Sequence, residues 1–294
     1  MNRQRTAPIL ILAMGILAVS TASVFIRYAQ NEAPSLTIAA YRLALATLFL
    51  APLAFARTRT EWLRLSVADR RWLIASGLFL ALHFATWITS LRYTTVASSV
   101  VLVGTSPLWV ALAGRFFLRE RLGGAVIGGL LLAIAGGALV AASDAGAQAS
   151  SAPLAGDALA LAGAWMAAGY WLIGRHLRQK LSLIPYVTAV YGTAATVLLA
   201  MTLVARQALT GFSPKTYLWF ALLALLPQVI GHSSFNWALA QLPAVFVAVA
   251  TLGEPVGSSI LALALLGETP TPLKIAGGAL ILAGIALCFY SRRK

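Results

Sequence analysis

Ten apolar runs, each about as long as a bilayer is thick, constrain this chain more than any other feature. They cover residues 8–29, 35–56, 72–91, 95–117, 123–142, 157–174, 183–205, 216–239, 243–266 and 272–290. A helix needs about 20 mostly apolar residues to cross a hydrocarbon core about 30 Å thick. In lipid every backbone polar group must be satisfied within its own segment, so runs of this length predict an all-α, polytopic membrane bundle of ten transmembrane helices. Composition points the same way. Of 294 residues 60% are hydrophobic and 10% charged, against about 25% charged in soluble domains. The first run follows Arg3 and Arg5 as the core of a signal peptide does. It has a counterpart in the second half of the chain, however, and reads as part of the fold.

The net charge of +14 raises the question of a nucleic-acid partner. A nucleic-acid binder gathers its cations on one soluble face, whereas these lie in short connections between apolar runs. With the N-terminus inside, Arg27, Arg92, Arg206, Lys215 and Lys274 fall at outer ends and Arg42 within a span; the other 16 of the 22 basic residues fall inside. That bias predicts cytoplasmic N- and C-termini. No nucleic-acid partner is expected; the partners are the lipid bilayer and a small-molecule substrate, with the protein a monomer or weak homodimer. The lone Cys288 excludes an intrachain disulfide.

Shifting the chain by 148 residues superimposes Arg27 on Arg175, Pro107 on Pro255, Glu120 on Glu268 and Gly136 on Gly284, with no gap. Four uncommon residues matching at one offset divide the chain into repeats at 8–142 and 156–290, joined by an external linker at 143–155. Five spans is an odd number, so the second repeat begins on the opposite side of the membrane. The result is two inverted-topology repeats of five helices, a construction common in transporters.

The stretches "ASSVVLVGTSPLWVALAGRFFLRERLGGAVIGGLLLAIAGGALV" and "VAVATLGEPVGSSILALALLGETPTPLKIAGGALILAGIAL" share a mid-span Pro, a Glu after the span and a Gly-rich following span. In these features the chain resembles the EamA-type members of the drug/metabolite transporter (DMT) superfamily, over about residues 8–290. Among subgroups it is similar to the YddG-type aromatic amino acid exporters. The resemblance implies movement of small metabolites, amino acids among them, through a central cavity between the repeats.

Depth selects candidate substrate-binding residues. At 1.5 Å per residue, His83 lies roughly 17 Å into its span, and Ser20, Thr21, Thr105, Gln228 and Thr251 fall near the same midplane. Polar groups at that depth face the protein interior. His83 and Trp87 share one helical face, as do Gln228, His232 and Phe235. Each histidine either lines a pathway or is tied to a neighbouring helix. Of the deep tryptophans, Trp87 and Trp165 share faces with small or polar residues and are the ones expected to meet substrate. Glu254 is the single acid deep in a span. It serves proton coupling, or a substrate ammonium, or packing beside Pro255. Arg42 either pairs with Glu254 or snorkels outward. Pro107 and Pro255 mark kinks, and Gly129, Ala133 and Gly137 form a small-residue packing stripe.

The leading function is a secondary transporter of small metabolites in the cell's inner (plasma) membrane, as exporter or facilitator by alternating access, with nucleotide sugars and drugs as other cargo classes. No phosphate cradle is present in the sequence, and no cofactor, metal or catalytic residue is expected. An intramembrane lipid-modifying enzyme is the alternative, because "GHSSF" at 231–235 approaches a nucleophile elbow. Position 235, however, is Phe where Gly is required. One buried acid is a meagre proton pathway, which favours an uncoupled carrier.

Overall fold

The computed structural model describes residues 3–57, 61–62, 64–94, 99, 102–117, 123–144, 152–266 and 271–291. The Glu120/Glu268 match and residues 145–151 of the linker lie outside them. The described residues contain helices and no strand. They are α1 (Arg3–Val19), α2 (Ala22–Gln30), α3 (Ser35–Arg57), α4 (Val67–Tyr93), α5 (Ser106–Phe117), α6 (Gly124–Asp144), α7 (Pro153–Leu177), α8 (Leu183–Val204), α9 (Pro214–Leu223), a π-helical segment (Ala224–His232), α10 (Ser233–Ala238), α11 (Ala244–Thr251), α12 (Glu254–Leu266) and α13 (Pro272–Ser291). Among the described residues four spans are composite: α1 with α2, residues 102–103 with α5, α9 through α10, and α11 with α12. The helices thus group into the ten spans predicted. Stretches such as Ser35–Phe55, Val67–Tyr93 and Pro214–Ala238 are individually long and apolar enough to cross a membrane.

Side chains are distributed for lipid rather than water. Phe55, Leu203 and Val204 are exposed, while Arg42, Ser76, Gln228 and Asn236 are buried. Apolar surface facing outward costs nothing in hydrocarbon; an outward polar group does. Helix starts at the membrane edge follow ordinary capping chemistry. Ser66 caps α4 by accepting from the Asp69 amide at 3.0 Å, and Ser213 caps α9, which opens with Pro214, where a missing N–H is harmless. Glu32, in the connection before α3, reinforces the second start. Its carboxylate accepts from the Ser213 amide at 2.9 Å and the Thr216 hydroxyl at 2.8 Å. These hydrogen bonds hold the Glu32 carboxyl below its ordinary range.

The two halves are related by a two-fold operation that can be read from contacts. A Cβ on Gly136 would sit 2.5 Å from the Gly277 carbonyl oxygen, and one on Gly284 would meet the Gly129 carbonyl. Under the 148-residue shift Gly136 becomes Gly284 and Gly129 becomes Gly277, so these two contacts exchange. The antiparallel α6–α13 pair therefore lies on the pseudo-two-fold axis, and so does α3 with α8. The packing stripe differs from the sequence expectation in one residue. Gly129 and Ala133 contact α13, but Gly136 takes the third position, and nothing lies within 4 Å of a Cβ on Gly137.

The prolines also act differently from internal kinks. The fourth span is broken at 104–105 and the ninth at 252–253, again 148 apart, and Pro107 and Pro255 occupy the second position of α5 and α12. In a first turn the absent N–H has no intrahelical acceptor to lose. These prolines start half-helices. A different irregularity shapes the eighth span, where Pro227 sits inside the π-helical Ala224–His232.

The span ends carry a second symmetric pair. At the end of α2, the Gln30 side-chain amide donates to the Ile88 carbonyl near the end of α4 at 3.1 Å. Its 148-shifted counterpart is Arg178 Nε donating to the Asn236 carbonyl at 3.0 Å. Arg175 adds a bond to the Leu239 carbonyl at 2.6 Å, and Lys180 an ion pair with Asp69 at 2.6 Å.

Candidate functional site

The half-helix breaks, the π-helical segment and the deep faces of α2, α3, α4 and α7 meet around one cavity of about 80 Å³. Its wall straddles the two-fold axis. Val19 and Ala167, Trp87 and Phe235, Val103 and Thr251, Gly104 and Leu252, and Ser106 and Glu254 all line it, and each of these pairs is 148 residues apart. The remaining lining breaks the symmetry. Arg42, His83 and Trp171 also face the cavity, where the shifted positions hold Val190, Gly231 and Ser23.

The aromatic wall is built from two parallel His–Trp stacks. His83 and Trp87 stack with ring centroids 5.9 Å apart and planes 11° from parallel. His232 and Trp171 stack at 6.0 Å and 10°. Phe84, buried behind the wall, contacts His232 edge-on at 5.3 Å. His83 Nδ1 donates to the Gly163 carbonyl at 2.9 Å. A carbonyl can only accept, so Nδ1 carries a hydrogen and Nε2 is the ring's other polar atom. His83 is thus both tied to a neighbouring helix and part of the cavity wall.

Arg42 is 1% exposed and follows neither expectation for it. It does not snorkel, and it forms no ion pair with Glu254 among those of the described residues. Its Nε donates to Gln228 Oε1 at 2.8 Å, and its guanidinium carbon lies 4.2 Å from the centre of the Phe84 ring. Four of the eight unpartnered buried polar atoms among the described residues lie here: Arg42 Nη1, Gln228 Nε2, Trp87 Nε1 and His232 Nδ1 have no hydrogen-bond partner. Native interiors rarely tolerate such atoms, because each loses its water without compensation.

Of the residues singled out by depth, the cavity brings together His83, Trp87, His232, Thr251 and Glu254. Gln228 stands one layer behind, holding Arg42. Ser20 is buried between spans: its hydroxyl lies 2.7 Å from the Ile16 carbonyl and 3.2 Å from the Glu254 carbonyl. Thr21 donates to the Ala18 carbonyl at 2.8 Å. Thr105 donates to the Leu102 carbonyl and accepts from Trp109 Nε1 at 3.2 Å. Trp165 packs edge-on against Trp109 and is 46% exposed; it does not line the cavity. Trp171 does, six positions further along the same helix. The signal for it was the run Ala164, Ala167 and Ala168, one and two turns before Trp171, a face small enough to leave room. In "GHSSF", Ser234 donates to the Ile230 carbonyl at 2.7 Å, and Ser233 lies 3.2 Å from the Tyr191 hydroxyl.

Residues 6–142 and 154–290 each match the model of the EamA-like transporter family. A protein of Archaeoglobus fulgidus described as an uncharacterized transporter is 28% identical over 287 residues, covering 95% of this chain and 96% of that one. A protein of Streptantibioticus cattleyicolor described as a probable terminal-alkyne amino-acid exporter is 27% identical over 206 residues, covering 66% of this chain and 64% of its own. A solved crystal structure with 20% identity covers 98% of this chain and 99% of its own at a TM-score of 0.81, and so shares the fold.

Proposed function

The chain belongs to the EamA-like transporter family, and on that premise we propose that it is a facilitative carrier of amino acids, aromatic ones included, working by alternating access through the cavity between its repeats. It sits in the cell's inner membrane with both termini cytoplasmic. The observation that carries this reading is the cavity wall itself. Mated residues of both repeats frame it, and aromatic rings, one cation and one carboxylate are concentrated on it. Such a wall suits a small, amphipathic, charged solute, since a few placed polar groups among aromatic ones fix both orientation and selectivity. The resemblance to a probable amino-acid exporter supports the same class. Glu254 begins α12, where a carboxylate interacts favourably with the helix dipole. That position accounts for an acid at this depth without a proton pathway.

The test is solute flux in proteoliposomes containing the purified protein, screened against amino acids, nucleosides and sugars, with and without an imposed pH gradient. Amino acids should equilibrate across the membrane, and the pH gradient should not drive accumulation. Selective flux of nucleosides or sugars overturns the substrate class. Concentrative uptake that disappears in Glu254→Gln overturns the facilitative mechanism and makes Glu254 a proton carrier.

A further inference from the structure

We propose that Arg42 and Glu254 are the two poles of a zwitterion site, Arg42 taking the carboxylate of an α-amino acid and Glu254 its ammonium. This rests on the amino-acid reading above and adds the residues that would recognise the backbone of such a substrate. Four observations carry it. Arg42 is fully buried in the wall of the cavity, where a guanidinium is stable only with hydrogen-bond acceptors around it. Its Nε is held by Gln228 and its face by Phe84, yet Nη1 has no partner. One edge and one face of the guanidinium are therefore fixed while a donor is left over, and a planar carboxylate is a partner suited to it.

Glu254 lines the same cavity, and the two side chains do not close on each other as an ion pair. A direct pair would cancel both charges and leave nothing to recognise. Held apart, they present opposite charges to one solute. Finally, both charges occur where the repeats differ: the shifted partner of Arg42 is Val190, and that of Glu254 is Ser106. The framework of the cavity is duplicated, but its electrical polarity is not. A solute bound on the two-fold axis meets a positive side and a negative side, with Trp87 and Phe235, themselves mates, flanking its side chain.

The experiment is counterflow of labelled phenylalanine in proteoliposomes. The competitors are phenylalanine, phenethylamine (which lacks the carboxylate) and 3-phenylpropionate (which lacks the ammonium). Wild type should prefer phenylalanine over either analogue by at least about 30-fold, the scale on which removing one partner of a buried charge pair is felt. Arg42→Gln should lose the preference over phenethylamine while keeping that over 3-phenylpropionate, and Glu254→Gln the reverse. Arg42→Lys should restore part of the first preference. A merely structural Arg42 would lower flux without changing this selectivity. If Arg42→Gln does not fold, the wild-type ranking alone decides. Phenethylamine or 3-phenylpropionate competing as well as phenylalanine overturns the zwitterion site and leaves the amino-acid reading standing. No phenylalanine flux at all overturns both.

Discussion

Two tryptophans six positions apart on one helix separate the wall of the cavity from the outer surface, and substitution can test the division. Trp171→Ala should lower amino-acid flux at least about tenfold, through loss of the stack on His232. Trp165→Ala should leave flux unchanged. His83→Ala should impair flux to a similar degree and cost about 1–3 kcal/mol of stability, because the Gly163 carbonyl loses its donor in an apolar setting. Detergent-solubilised protein that melts normally, with unaltered flux, would remove His83 from the site. The depth of His83, Trp87, His232, Thr251 and Glu254 was legible from their positions along each span. Which face Trp165 or Trp171 turns was not. A membrane helix is apolar on its lipid side and its packed side alike, so amphipathic patterning carries little information about direction. Arg42 was legible as an anomaly, but its partner Gln228 is distant in sequence and arrives only through tertiary packing.

Among the helices, the α6–α13 contact provides a sharp control. Gly284→Leu would drive a side chain into the Gly129 carbonyl and the Ala133 side chain and should destabilise by about 1–3 kcal/mol or more. Gly137→Leu, with open space around it, should be neutral within about 0.5 kcal/mol. Equal effects in thermal unfolding would contradict the register described here. The stripe of small residues could be seen in the sequence, but its phase could not: Gly136 and Gly137 are adjacent, and only the partner helix distinguishes them. The two prolines were visible as well. Their role as first-turn residues depended on seeing that the helices stop just before them. At the start of α9, the Glu32 carboxyl lies below its ordinary value of 4.5. Its contribution to stability is therefore present above that pH and lost as pH falls through the folded-state value. Wild type should lose thermal stability on acidification in this range, and Glu32→Gln should lose less; parallel pH profiles would dismiss the Glu32 cap as a contributor.

For the whole molecule, the 148-residue offset was the most informative single reading of the sequence. The same interval relates the helix breaks, the glycine contacts, the cavity wall and the span-end bonds. The charge bias fixes the expected orientation. With Cys288→Ala as background, a cysteine at Thr210 should be labelled by an impermeant thiol reagent in intact cells, and one at His176 only after permeabilisation. The opposite pattern would invert the topology. The span-end bonds have a kinetic corollary. At the mated positions, one end carries a neutral amide from Gln30 and the other a guanidinium from Arg178, and charged donors make bonds roughly twice as strong. A carrier with unequal fastenings does not divide its resting time evenly between the two solutions it serves. Its half-saturating concentration should differ between right-side-out and inverted vesicles, and Arg178→Gln, which makes this mated pair alike, should bring the two values closer.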